Sequence, residues 1–215
     1  MRVVLASTSP ARLALLRQAG VRPETRAPAV DEDAEVAAES VRRAQPLSPQ
    51  EHVQLLADRK AAAVAAVLSA EDPSMDGVVI GGDSMFELDG SLSGKPLTAA
   101  NARERWDRMR GRTGVLHSGQ TVIRLRPGAT PQRAAAVAAA AVTFAADITD
   151  QERDAYIATG EPLEVAGAFT LDSLGAPFIV RVDGDPSTVV GMSLSTLRRL
   201  FAELGVSWTS LWSAP

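Results

Sequence analysis

Cysteine is absent from the 215 residues, so neither a disulfide framework nor a thiolate metal site can form. Lysine is almost absent too: of 22 basic residues only Lys60 and Lys95 are lysine, and the rest are arginine. In a chain that uses arginine nearly everywhere, a surviving lysine marks a place suited to a compact ammonium rather than a planar guanidinium fork. Long apolar runs are missing as well. The apolar start, Val3 to Ala6, is interrupted by Ser7-Thr8-Ser9-Pro10 and is too short for a secretory core, and no later segment approaches a membrane span. No membrane partner is expected, and a cytoplasmic location is. Nor is there a basic excess: the net charge of −4 disfavours long nucleic acid while leaving room for a local cationic pocket around a small anion.

A phosphate-binding P-loop is also lacking. Gly90 and Gly94 precede Lys95, but only three residues separate the glycines and Pro96 follows the lysine, where a P-loop needs four and then Ser or Thr. Protein-kinase signatures are equally absent. With 46% hydrophobic residues the chain can bury a full core, and it reads as a single domain over 1–215 with no internal repeat or second core.

What is present begins with a short strand, Val3 to Ala6, followed by Ser9-Pro10 opening a helix that Gly20 stops. Strand, tight loop and helix N-terminus point backbone N–H groups at an anion, and Arg12 falls in that first turn. Thr25 to Val30 is expected as a second strand. The acidic run Asp31-Glu32-Asp33-Ala34-Glu35 is expected as a solvated loop. A helix follows from about Ser48 to Leu68 with Val53, Leu56, Ala57, Val64 and Val67 as its buried stripe. Lys60 lies in phase with that stripe and must either snorkel out or reach a polar cleft.

Val78 to Gly82 is expected to be a strand delivering Asp83 at its carboxyl end, where ligands of open α/β sheets gather. Phe86 to Leu92 reads as a hairpin turning at Asp89-Gly90, Ala99 to Arg110 as a helix, and Thr121 to Leu125 as a strand. The alanine-rich stretch from Pro127 is expected to start as a surface loop and to lead into a strand at Val142 to Ala146. Asp150 to Thr159 reads as a helix, Phe169 to Leu171 and Phe178 to Val182 as strands, Gly184-Asp185-Pro186 as a turn, and Ser193 to Leu204 as the last helix. The tail after Gly205 is expected to pack. His52 and His117 are expected to be structural or exposed.

The blocks LASTSPARLALL, VDE, LADRKA, GGDS, GKP, RGRTG, YIATGEPLEVAGAF and GDPSTVVGMSL, in that order over nearly the whole chain, resemble the Maf family of nucleoside triphosphate pyrophosphatases. The resemblance implies an α/β fold of the Maf/ITPase-like kind, a mixed twisted sheet flanked by helices with two lobes around a central cleft, commonly in a homodimer. It implies hydrolysis between the α- and β-phosphates of a nucleoside triphosphate with a divalent cation, Mg²⁺ or Mn²⁺, and a role in cleansing the nucleotide pool.

Residue by residue, it places Ser7, Ser9, Arg12 and Lys60 on the substrate phosphates, with Lys95 as a further catalytic cation. Glu32 matches the acid near the metal, and Asp83 the acid proposed as general base; whether Asp83 serves as base, as metal ligand with Glu32 or as both stays open at this point. There are departures. Ala11 stands where a second basic residue is usual, Gly82 and Ser84 replace Ala and Thr, and Val165 replaces a frequent Lys. Asp172 stands where pyrimidine-directed members carry Gln and 7-methylguanosine-directed members an acid, which points toward a guanine-type base; the alternative is that Asp172 caps the turn before Gly175. The chemistry fits independently, because triphosphate cleavage needs cations for the leaving pyrophosphate and an acid for metal or water. A nucleotide-binding regulator of cell division with little hydrolysis is the other class the sequence allows.

Overall fold

The computed structural model describes residues 1–212. Seven strands form one mixed sheet in the order β2-β1-β3-β5-β6-β7, with β4 paired to β3: β1 Arg2–Ala6, β2 Glu24–Thr25, β3 Gly77–Leu88, β4 Ser91–Ser93, β5 Thr113–Leu125, β6 Gln132–Phe144 and β7 Ile179–Asp183. The helices are α1 Pro10–Gln18, α2 Glu32–Arg43, α3 Pro49–Glu71, α4 Ala99–Met109, α5 Asp150–Ala158, α6 Pro186–Val190 and α7 Leu194–Glu203. Among the described residues, no helix is long and apolar enough to cross a membrane.

Two compact units divide the chain. The first comprises Met1–Asp83, Ser118–Ala138 and the segment from Gly191 onward; the second comprises Ser84–His117 and Ala139–Val190. Strands β3, β5 and β6 run from one unit into the other. In the first unit, a cluster of small aliphatics joins Val4, Ala6 and Val79 of the sheet to Ala61, Val64, Ala65 and Leu68 of α3. In the second, Phe86, Trp106, Phe144, Tyr156 and Phe169 form an aromatic cluster with edge-to-face contacts at ring separations of 4.9–5.9 Å. Such pairs add specific geometry to the buried area. The sequence suggested no second core, whereas each unit has a buried cluster of its own.

Several expectations change. The acidic run is no loop: Asp31 N-caps α2 by accepting from the Ala34 N–H, Glu32, Asp33 and Glu35 fill the first turn, and Arg42 and Arg43 the last. That charge order complements the helix dipole and sustains a helix with no buried residue. The second strand covers only Glu24–Thr25. The alanine-rich stretch does start as an exposed loop, but only over 127–131; from Gln132 it is strand β6, placed between β5 and β7, with Ala140, Val142 and Phe144 alternating inward. Sheet pairing on both sides overrides alanine's weak strand preference. Strand β5 begins eight residues earlier than the periodicity indicated. Phe169 to Leu171 joins no strand, and Pro186 opens the short α6 rather than ending a turn. On α3, Val67 is exposed and Leu68 takes its place in the core.

Other expectations hold. The β3–β4 hairpin turns at Asp89-Gly90, both with positive φ, between the paired Leu88 and Ser91. His117 is buried with its Nε2 2.8 Å from the Glu87 carboxylate, a structural contact. The tail packs as far as it is described: the Trp212 indole donates to the Ala19 carbonyl at 3.1 Å, and Trp208 stacks edge-on against Phe201.

Candidate functional site

The first unit assembles six of the expected residues. Strand β1 ends at Ala6, and the chain turns through Ser7, whose hydroxyl accepts from the Ser9 N–H at 3.1 Å. Ser9 N-caps α1 by accepting from the Arg12 N–H, with Pro10 at the first helical position. Arg12 folds back instead of pointing to solvent. Its Nε donates to the Gly191 carbonyl at 2.9 Å, and Nη1 lies 3.4 Å from Ser7 Oγ. Burial lowers the pKa of its guanidinium, and the carboxylates of Asp83 and Glu32 oppose that shift.

Asp83 is not at the carboxyl end of a strand, as expected, but in the middle of β3. The two glycines before it permit close packing. A Cβ on Gly81 would stand 2.3 Å from the Ala57 carbonyl oxygen of α3, and one on Gly82 would stand 3.4 Å from Arg12 Nε and 3.1 Å from Met192 Cε. Alternation along the strand puts Val79, Gly81 and Asp83 on one face, the face of α3. The parallel neighbour β1 pairs only as far as Ala6 opposite Gly81, so Asp83 emerges just past the end of that pair. The strand-end argument therefore holds for β1 and fails for β3.

Helix α3 brings Lys60 to meet Asp83. The ammonium lies 2.7 Å from Asp83 Oδ1 and 2.8 Å from Glu32 Oε1. The Lys60 and Asp83 side chains are 8% and 10% exposed, whereas Glu32 is 49% exposed. Helix α2 reaches α3 through charge, with Glu35 pairing Arg59 at 2.8 Å beside the Glu32–Lys60 contact. A buried ammonium between two carboxylates is an ion pair whose desolvation must be offset by close geometry.

Lys95 belongs to the second unit and is exposed there, with its ammonium 3.3 Å from Glu164. Its loop is held firmly. The Gly94 carbonyl accepts from Arg105 Nη1 at 2.5 Å and from the Gly167 N–H at 3.2 Å, the Asn101 amide donates to Pro96 O at 3.0 Å, and the Leu97 N–H to Leu163 O at 3.2 Å. Leu97 has φ +63°, a left-handed conformation that a side chain adopts only when its surroundings fix it. Burial lowers the pKa of Arg105. Arg105 was invisible in the sequence, where it is one arginine of a rich helix.

Asp172 also lies in the second unit, exposed, and its carboxylate has no partner among the described residues. It does not cap the turn before Gly175. Thr170 does so, its Oγ1 accepting from the Gly175 N–H at 3.1 Å. Thr170 and Ser173 donate in turn to Glu161, at 2.5 and 2.6 Å. Sequence reasoning missed Glu161; the nearest signal was the Thr and Ser hydroxyls flanking Asp172.

Among the described residues, no group of three or more acidic or histidine side chains forms a protein cage for a metal. Glu32 and Asp83 do bring two carboxylates to one point. That donor set suits a hard divalent cation that keeps waters and takes further oxygens from phosphates.

The family model described as Maf-like protein matches residues 2–204. The chain belongs to the Maf-like family. A protein of Leifsonia xyli subsp. xyli named nucleoside triphosphate pyrophosphatase is 60% identical over 99% of this chain and 97% of its own length. One of the same name from Rhodococcus jostii is 51% identical over 98% and 96%. Among solved structures, the Ham1 protein of Staphylococcus aureus aligns at 10% identity with a TM-score of 0.37, covering 99% of this chain and 94% of that one.

Proposed function

We propose that this Maf-like chain hydrolyses the bond between the α- and β-phosphates of a nucleoside triphosphate, with preference for a guanine-type base, releasing the monophosphate and pyrophosphate. The observation that carries this reading is the Glu32–Lys60–Asp83 cluster beside the N-terminus of α1, where two carboxylates, a buried ammonium and the Arg12 guanidinium converge. The names of the relatives support the same reaction class.

In this reading Asp83 accepts the proton of the attacking water. Arg12, Lys60 and the opening turn of α1 with Ser7 and Ser9 counter the charge that grows on the phosphates. Glu32 and Asp83 would hold Mg²⁺ or Mn²⁺, which supplies Lewis acidity at the phosphates when bound. Lys95 is assigned to the phosphates, and Asp172 to the base, on the family resemblance. A carboxylate only accepts hydrogen bonds, so it suits the adjacent N–H donors of a guanine edge better than the carbonyls of thymine or uracil. Cleansing of the cytoplasmic nucleotide pool by a homodimer is the setting this reading implies.

The test is phosphate release from a panel of triphosphates, with and without added inorganic pyrophosphatase. Release that depends on the added enzyme, with monophosphate as co-product, is expected. Phosphate without it would mean cleavage at the γ-position. Binding with no release on any nucleotide would favour the division-regulator reading, which Ala11 in place of a basic residue keeps in play.

A further inference from the structure

Glu161 follows Gly160, whose φ is +79°, and opens a short 3₁₀ turn, Glu161–Glu164. Its carboxylate collects donors from separate parts of the second unit. The Tyr156 hydroxyl of α5 lies at 3.0 Å, Thr170 Oγ1 at 2.5 Å, Ser173 Oγ at 2.6 Å and the Leu174 N–H at 3.4 Å. Thr170 closes the turn at Gly175, and a Cβ on Gly175 would stand 2.6 Å from the Thr170 carbonyl oxygen and 2.7 Å from the Tyr156 hydroxyl. The segment 170–175 is thus built at close contact around one carboxylate. Asp172 sits within it, and the hydroxyls of Thr170 and Ser173 on either side are directed to Glu161.

Burial pushes the Glu161 carboxyl up, but the hydrogen bonds from Ser173, Thr170, Tyr156 and Leu174 together outweigh it and hold the group below the usual glutamate value. Glu161 is therefore the charged acceptor at neutral pH, and hydrogen bonds to a charged acceptor are about twice as strong as neutral ones.

We propose that Glu161 is the positioning residue of the base-selecting turn: by gathering the donors of Tyr156, Thr170, Ser173 and Leu174 it holds segment 170–175 in place and leaves the Asp172 carboxylate uncommitted for the N–H donors of a guanine-type base. This rests on the reading of Asp172 as the residue that selects the base. Glu161 touches no substrate in this scheme and acts through Asp172.

The experiment measures kcat and KM for GTP, 7-methyl-GTP and TTP with the full chain and with Asp172→Gln, Glu161→Gln, Ser173→Ala and the Asp172→Gln/Glu161→Gln double variant. A wild-type preference for a guanine-type triphosphate over TTP of about ten- to a hundredfold is expected, with Asp172→Gln bringing it to within about threefold. Glutamine keeps the size of Glu161, but its amide has one oxygen where the carboxylate has two, so the donors cannot all be met. Glu161→Gln should cut the preference by about fivefold or more, mainly through a higher KM for the guanine-type nucleotide. Ser173→Ala should move it the same way by less. The double variant should be no less selective than Asp172→Gln alone, because both changes act through one carboxylate.

If Asp172→Gln abolishes the preference while Glu161→Gln lowers kcat/KM for all three nucleotides equally, Glu161 is merely structural and the proposal is overturned. If Asp172→Gln leaves the preference intact, or wild type has none, the base-reading assignment falls and this proposal with it. Should Glu161→Gln fail to fold, Ser173→Ala decides, and an unchanged preference in that variant counts against the proposal.

Discussion

Asp83 and Asp172 are both acids on which function is proposed to turn, and the chain treats them in opposite ways. Asp83 is buried on a central strand, its backbone brought against α3 by Gly81 and its carboxylate bound directly by Lys60. Asp172 is exposed on a turn, bound by nothing among the described residues, and its neighbours are held by a different acid, Glu161. A group that must deprotonate water or hold a cation benefits from fixed geometry and a compensating charge. One that must choose between bases benefits from unsatisfied acceptors. The contrast separates chemistry from selection, and it can be broken by experiment.

The largest effect is expected at the fixed acid. Asp83→Asn keeps the size and removes the charge, so turnover should fall by about 10²- to 10⁴-fold on every nucleotide, with the preference among bases unchanged. Circular dichroism should show a folded protein, because Lys60 retains Glu32 as a partner. Near-wild-type turnover would remove Asp83 from the chemistry. Lys95→Ala should come next, at about 10²-fold in kcat, since one cation opposite developing charge is lost. Its exposed pair with Glu164 predicts a stability change within about 0.5 kcal/mol. A collapse of the melting temperature with normal turnover of the folded fraction would make Lys95 structural.

How far these arrangements could be read beforehand follows from their physical origin. Lys60 was legible because a helix face is periodic, and a lysine in phase with Val53 and Val64 must either snorkel out or reach a polar cleft; the structure shows the second. The helix carrying Glu32 was misread because it buries nothing, although its Asp31 cap and its order of acids before arginines were in view. Strand β6 was hidden by alanine, whose preference says little once neighbours pair on both sides. The strand carrying Asp83 was read as stopping at Gly82, whereas β3 continues to Leu88 and its Gly81 is needed for contact with α3. The freedom of Asp172 was the least legible feature. As proposed, it depends on hydroxyls 9 and 12 residues beyond Glu161, which bond to that acid.

The placement of Asp83 by close packing can be tested on the two glycines themselves. Gly81→Ala puts a methyl 2.3 Å from a backbone oxygen that cannot rotate away, so α3 and β3 must separate. A loss of about 1 to 3 kcal/mol in urea unfolding is expected, with turnover reduced because Lys60 and Asp83 ride on the two elements forced apart. Gly82→Ala meets the mobile end of Met192 at 3.1 Å and should cost less than about 1 kcal/mol. Equal costs would mean that contact with α3 is not what requires glycine at 81.

The smallest effect concerns the acid that holds the turn. The Glu161 carboxyl lies below the ordinary glutamate value of 4.5 in the folded chain, because its hydrogen bonds outweigh its burial. A depressed pKa contributes stability that is complete above the unfolded value and is lost as pH falls through the folded one. Tyr156, the titratable group facing it, is pushed upward by burial and stays protonated throughout the acid range. Other carboxyls titrate on the same limb, among them Glu51, lowered to about 2 by its Arg43 partner and the Ser48 cap, and Asp154, lowered to about 2 by Arg153 and Arg103. These are present in wild type and in Glu161→Gln alike, so they cancel in the difference between the two. Urea midpoints measured from pH 7 down to pH 3 should therefore show wild type the more stable by a constant margin above about pH 5, and that margin should shrink as Glu161 takes up its proton. Parallel curves over the whole range would show that the charge of Glu161 is not what secures the turn, and the contrast between a fixed acid and a freed one would lose its second half.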